Sequence, residues 1–251
     1  MLVEPTLEKL NAMKLFGMEK YFRQWLEQPK EKALTPAELV GLLVDAEWVY
    51  RESRRLDLRI QKAKLKQSAC VEDIDYAHPR GLSKAVMLDL ASSRWAQSHQ
   101  NIILVGATGL GKSWLACALG QKACRDGFTV VYRRVSRLFD EMAQARADGT
   151  YPHLLRRIAK TQVLILDDFG IEPLAAAQRR DLLEVVEDRH KTSSTIVTTQ
   201  LDPSQWHAVI GDATVADSIC DRLVHNAHRV KLVGESIRKT QGLTNGKKPT
   251  K

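Results

Sequence analysis

Residues Gly106-Ala107-Thr108-Gly109-Leu110-Gly111-Lys112-Ser113 fit the pattern G-x-x-x-x-G-K-[ST], with an apolar run, Ile102 to Val105, directly before them. A helical pattern follows, Trp114 to Arg125, ended by Gly127. This strand, loop and helix order is what phosphate binding needs. Glycines let successive backbone N–H groups converge on an anion, and the helix N-terminus adds its partial positive charge. Gly106, Thr108, Gly109 and Gly111 therefore read as the cradle, Lys112 as the group that reaches the β and γ phosphates, and Ser113 as a Mg²⁺ ligand. A glycine-rich turn that matched by chance would not need a buried strand before it and a helix after it.

A second element points to the same chemistry. Val163-Leu164-Ile165-Leu166-Asp167-Asp168 is an apolar strand ending in two acids, an arrangement that holds magnesium and polarises an attacking water. Asp167 reads as the metal-side acid and Asp168 as the water-activating one, whereas a lone acid at a strand end is usually a turn residue. Gln200 ends the next such run, Thr195 to Thr199, where a side chain could touch the γ-phosphate, although strands often end in polar residues. Arg222 and Arg238 follow further on. Either could neutralise charge on a transferring phosphoryl group, and an ordinary surface salt bridge is the plainer reading of each.

These residues need a frame. Ile102 to Val105, Val130 to Arg133, Val163 to Leu166, Thr195 to Thr198 and Arg229 to Val233 are short, β-branched, apolar runs separated by helical segments. Continuous apolar strands alternating with helices predict an α/β fold with a parallel sheet covered on both faces. Residues 1–70 differ: they predict a small all-α N-terminal domain, with helices over Leu7 to Lys14, over Gly17 to Gln28 and from Thr35 to about Lys66. Thr35-Pro36-Ala37-Glu38 supplies a capping threonine, proline at the first helical position and glutamate at the third. Residues 71–251 then form the second domain, ending in a frayed basic tail over Asn245 to Lys251 that lacks apolar content.

The chain has 251 residues and a formal net charge of +8, enough length for a full core and enough basicity to make nucleic acid the first partner to suspect. Cys70, Cys117, Cys124 and Cys220 show no Cys-x-x-Cys spacing and read as reduced thiols. The N-terminus carries acids where a secretory segment would be apolar, and no run approaches the ~18 apolar residues of a membrane span. The expectation is a cytoplasmic protein with no membrane partner.

Taken together, Gly106 to Ser113, Val163 to Gly170, Thr199-Gln200, Asp221-Arg222-Leu223 and Gly234 to Arg238 resemble the DnaC-like AAA+ ATPases. Within them the chain resembles the IstB-like helper ATPases of bacterial insertion sequences, as do Leu15-Phe16-Gly17-Met18 and Arg80-Gly81-Leu82. The resemblance spans nearly the whole chain. It implies a five-stranded AAA+ sheet, hydrolysis of ATP with Mg²⁺, ATP-dependent self-assembly on duplex DNA, and delivery of target DNA to a partner transposase. It also implies that Arg222 is an arginine finger acting in trans and Arg238 a second sensor. Asp168 stands where many AAA+ proteins have glutamate, Gln200 where many have asparagine, and the segment after the last strand is too short for a full helical lid.

Two basic sets are candidates for DNA. On the long N-terminal helix Arg51, Arg55, Arg59, Lys62 and Lys66 fall within about 80° of arc, with Val49, Leu56, Ile60 and Ala63 opposite. Arg133, Arg134, Arg156 and Arg157, with Lys160, form the second set, where initiator-type relatives carry a helical element used against DNA. Either set could instead be a solvated face. Neither offers a base-reading motif, so phosphate contacts with strong salt dependence are expected. His225 and His228 read as structural, and Met13, Phe16, Phe22 and Trp25 as core or interface. A replicative helicase loader would share every nucleotide-site residue. A small-molecule phosphate-loop kinase is disfavoured by the basic helical domain and the paired acids, and a nucleotide-gated binding module with little turnover is a further alternative.

Overall fold

The structure is a computed structural model that describes residues 3–27 and 34–237. Gln28, Arg238 and the tail over 245–251 lie outside the described residues. The chain divides into two compact units that meet in sequence between Leu58 and Arg59.

The first unit holds α1 (Val3–Ala12), α2 (Phe16–Glu27) and most of α3 (Pro36–Ala63). The capping box forms: the Thr35 amide donates to Glu38 Oε2 at 2.8 Å and the Glu38 amide returns to Thr35 Oγ at 3.3 Å. At Gly17 the backbones of α2 and α3 meet so closely that a Cβ would stand 2.5 Å from the Ala46 carbonyl oxygen. Glu47 fills the same crossing. Its carboxylate accepts the Gly17 and Met18 amides at 2.7 and 3.2 Å, satisfying two orphan donors at the start of α2. Phe16 packs against the Tyr50 ring at 5.9 Å but remains partly exposed, and Met13 is 65% exposed, so neither is core among the described residues.

The second unit is a parallel five-stranded sheet in the order β2-β3-β4-β1-β5. Its strands are β1 (Asn101–Val105), β2 (Val130–Arg134), β3 (Val163–Phe169), β4 (Ser194–Thr199) and β5 (Ala227–Lys231). Helices α4 (Lys84–Leu90) and α5 (Arg94–Gln97) precede β1, and α6 (Lys112–Arg125) joins β1 to β2. α7 (Val135–Ala147) and α8 (Tyr151–Ala159) precede β3; α9 (Ala176–Arg189) precedes β4; α10 (Trp206–Ile210) and α11 (Ala213–Val224) precede β5. Ile102, Ile103, Leu104, Val163, Leu164 and Ile165 are fully buried, as expected for central strands covered on both faces. Full burial of each such side chain contributes about 1.5–3 kcal/mol.

Four expectations shift. β3 continues through both acids to Phe169 instead of stopping at Leu166, and β5 lies two residues earlier than Arg229 to Val233 because its pairing with β1 starts at Ala227 opposite Asn101. α3 ends at Ala63, not Lys66, because Lys64 takes a left-handed backbone with φ of 50°. Residues 59–70, expected with the helical N-terminal domain, cluster with the second unit. Arg59 Nε donates to the Cys124 carbonyl at 2.9 Å, and Ala63 is fully buried.

Candidate nucleotide site

The sheet order places the C-terminal ends of β3, β4 and β1 side by side, the edge at which parallel α/β sheets present their ligand crevice. A cleft of about 630 Å³ opens there, lined among others by Thr108, Gly109, Gly111, Lys112, Ser113, Asp168 and Gln200. The phosphate-binding loop leaves β1 at Val105, and α6 starts at Lys112. Gly111 has φ of 84°, and a Cβ there would come 2.7 Å from Arg80 Nη1. Gly109, with φ of 89°, packs directly under Ser236. Side chains at either position would be strained and would displace the residues that hold the loop. Arg80, almost fully buried, supports it from below by donating to the Leu110 carbonyl at 3.1 Å and the Asp75 carbonyl at 3.0 Å.

Lys112 is buried along most of its length and donates to the Gly106 and Ala107 carbonyls at 2.7 and 2.9 Å. Burial lowers its pKa from the usual lysine range, and the neighbouring Asp168 and Asp167 charges act against that shift. Ser113 Oγ donates to Asp167 Oδ1 at 2.6 Å. The residues present suit a hard divalent cation, since a hydroxyl and a carboxylate converge beside an anion cradle.

Asp167 is fully buried and has more partners than its sequence context shows. Thr198 Oγ donates to Oδ1 at 2.6 Å, the Tyr132 hydroxyl donates to Oδ2, and Lys66 Nζ stands 3.5 Å from Oδ2. Burial alone would raise this carboxyl's pKa; the hydroxyls of Ser113, Thr198 and Tyr132, together with Lys66, overcome that and hold it below the usual aspartate range. The same Asp167 contact, added to burial, pushes the Tyr132 phenol far up.

A bulge aims the two acids differently. Leu166 pairs with Val197 and Phe169 with Thr199, so β3 spends one more residue than β4 over this stretch. Asp168 takes the left-handed backbone that permits this, with φ of 63°. Its amide donates to Thr198 Oγ at 3.0 Å, and its carboxylate turns into the cleft toward Arg134 Nε at 2.9 Å. Thr198 thus bridges the acids, accepting from one and donating to the other. Thr198, Tyr132 and Lys66 were not among the nucleotide-site residues expected from sequence. The available signal was weak: Tyr132 follows two valines on β2, and Thr198 follows Ile196-Val197 on a β4 that carries three other hydroxyl side chains.

The structure separates the remaining candidates. Gln200 reaches the cleft. Arg222 does not: its carbonyl accepts from Asn101 Nδ2 at 3.0 Å at the start of β1, and its guanidinium pairs with Glu187 at 3.0 Å. The phosphate-binding loop leaves the opposite end of that strand, about 13 Å away at ~3.3 Å per residue. Arg238 lies outside the described residues.

The cations of the helical basic stripe differ in their partners. Arg51 pairs with Glu47 at 2.7 Å and Arg55 with Glu52 at 2.6 Å; Arg59 turns in to Cys124; Lys62 is exposed; Lys66 lies past the helix end, on the nucleotide cleft. The apolar stripe opposite also divides, since Val49 is 62% exposed while Ala63 is buried. In the second set Arg156 and Arg157 are exposed on α8, Arg133 pairs with Glu141 at 3.0 Å, and Arg134 faces the cleft. His228 bonds Gln100 at 2.8 Å, and among the described residues no group of three or more His, Cys, Asp or Glu side chains gathers as a metal site. Among the described residues no helix is long and apolar enough to cross a membrane.

Comparison with known proteins agrees with this geometry. A family model described as IstB-like ATP binding protein matches residues 8–244. An insertion sequence ATP-binding protein of Sinorhizobium fredii is 51% identical over 96% of this chain and 98% of its own length. Among solved structures, DnaI superposes with a TM-score of 0.56 at 21% identity, covering 66% of this chain and 91% of DnaI. AMPPCP-bound DnaA from Aquifex aeolicus gives 0.57 at 16% identity, covering 72% of this chain and 56% of that one. At these identities the structural likeness shows the AAA+ fold alone.

Proposed function

Because the chain belongs to the IstB-like ATP binding protein family, the ATP-binding AAA+ proteins of insertion sequences, we propose that it is a Mg²⁺-dependent ATPase that duplex DNA stimulates. It assembles on that DNA with ATP and delivers target DNA to a partner transposase. In this reading the backbone of Gly106, Thr108, Gly109 and Gly111 cradles the phosphates and Lys112 swings onto them. Ser113 and Asp167 would hold the Mg²⁺, which supplies charge neutralisation at the β and γ phosphates. Asp168 orients and polarises the attacking water, with Gln200 beside it. Arg222, remote from its own loop, stabilises the charge developing in the site of a neighbouring copy.

One observation carries the DNA dependence. Asp168 is paired with Arg134, a member of a basic set suited to phosphate. An arginine holding the water-activating acid restrains turnover, and a DNA phosphate that competes for its guanidinium frees the acid. The exposed Arg156 and Arg157 provide further phosphate contacts, as do Arg55 and Lys62.

The test is phosphate release from Mg-ATP with and without duplex DNA, with particle size followed by light scattering. Hydrolysis and assembly should both rise with DNA, and the transposase should co-sediment with the DNA-bound assembly only when ATP is present. Hydrolysis indifferent to DNA, with no assembly, would overturn the reading.

A further inference from the structure

One face of α6 is covered, turn by turn, by the segment that follows Leu58. Ser113, Cys117, Gly120 and Cys124 recur at spacings of four, three and four residues, so they share a face of this helix. Against Cys124 lies Arg59, whose Nε donates to the carbonyl at 2.9 Å. Against Gly120 lies Leu65, so close that a Cβ on the glycine would stand 3.3 Å from Leu65 Cδ2. Beside Cys117 lie Lys66 and Gln67, whose backbone amides oppose the rise that burial gives the thiol's pKa. One turn further is Ser113, and there Lys66 Nζ stands 3.5 Å from Asp167 Oδ2.

Lys66 is thus delivered by a run of packed contacts to the carboxylate that the proposed function gives to magnesium. Its own side chain is 43% exposed, whereas the Asp167 side chain is fully buried. The Asp167 hydrogen-bond capacity is otherwise taken by three hydroxyls, which are neutral. An ammonium on one oxygen of a carboxylate opposes a divalent cation on the other, because the two positive charges draw on a single negative one at close range with little intervening water.

Resting on the nucleotide-site reading above, we infer that Lys66 and Mg²⁺ compete for Asp167, so that Lys66 sets the magnesium concentration at which nucleotide is held. Lys66 is a positioning residue that acts through Asp167, and it lies past the end of α3 at Ala63, off the continuous helical stripe.

Binding tests this without turnover. Mg²⁺ is titrated into the full chain with a fluorescent ATP analogue, and anisotropy is read for wild type, Lys66→Met and Lys66→Arg. Removing a charge at this distance should lower the half-saturating Mg²⁺ about tenfold in Lys66→Met, with Mg²⁺-free nucleotide affinity unchanged within about twofold, while Lys66→Arg stays near wild type. A Lys66→Met curve that superimposes on wild type overturns the inference and leaves the site reading intact. So does nucleotide affinity that falls at every Mg²⁺ concentration, which would make Lys66 a phosphate ligand. A wild-type protein whose nucleotide binding ignores Mg²⁺ overturns both.

Discussion

Arg134 Nε lies 2.9 Å from Asp168 Oδ2, joining the last residue of β2 to the cleft-facing acid of β3. β2 and β3 are neighbours in register, with Arg134 opposite Asp167, so the next acid along falls within the arginine's reach. Arg134→Ala should release Asp168, raise DNA-independent hydrolysis about threefold to tenfold and shrink the stimulation by DNA. Phosphate release with and without duplex measures this, and an unchanged basal rate would remove the restraint from the account.

The phosphate-binding loop and its acids should separate by substitution. Lys112→Ala should abolish nucleotide binding and with it assembly, because the phosphates lose the lysine at the start of α6. Asp168→Asn should keep the nucleotide bound and unhydrolysed. Equilibrium binding of a fluorescent ATP analogue distinguishes them; full affinity in the Lys112 variant would reject the site.

Arg222 and its own loop stand at opposite ends of β1, which predicts complementation between subunits. Arg222→Ala and Asp168→Asn should each be nearly inactive alone, since an arginine finger contributes up to about 10³–10⁵ in rate. In a mixture, an intact site on the first variant can meet an intact arginine on the second, and phosphate release should partly return. No recovery in particles shown to contain both variants would assign Arg222 a structural role with Glu187.

Glu47 predicts a pH dependence confined to the helical unit. Burial opposes its charge, but the Arg51 hydrogen bond and the Met18 and Gly17 amides outweigh it and hold the carboxyl below the usual glutamate range. A depressed carboxyl stabilises the fold above its unfolded pKa, and that stabilisation is lost as pH falls through the folded value. Glu47→Ala should therefore cost about 1–2 kcal/mol near neutrality, where it removes the cap of α2, and little in strong acid. Hydrogen exchange at the Gly17 and Met18 amides reads this locally; protection equal to wild type at neutral pH would refute it.

Salt dependence should divide the helical cations that the structure separates. Lys62→Ala and Arg55→Ala should each flatten the slope of log DNA affinity against log salt by about 0.9 if each meets a phosphate. Arg59→Ala should leave the slope unchanged and lower stability, because its Nε is spent on the Cys124 carbonyl. A flattened slope for Arg59→Ala would reverse this division.

What is local could be read from the chain alone. Gly106 to Ser113 are contiguous, and the backbone angles of a phosphate-binding loop follow from glycine placement between a buried strand and a helix start, so the loop and its lysine were legible without tertiary contacts. The alternation of apolar runs with helices likewise determined a parallel five-stranded sheet to within a few residues at each strand. The rest is non-local and arises only when distant segments pack together. The order β2-β3-β4-β1-β5 sets Tyr132 and Thr198 on either side of Asp167, and packing of the segment after α3 against α6 adds Lys66; these residues are spread from 66 to 198, and no spacing in the chain records which elements become neighbours. The bulge that turns Asp168 away from Asp167 is a property of the β3–β4 ladder, invisible in two adjacent aspartates. The basic stripe shows the same limit from the other side. Periodicity put Arg59 and Lys66 on one helical face, but a left-handed residue at Lys64 ends the helix, and packing on α6 then directs one cation to a carbonyl and the other to a buried acid.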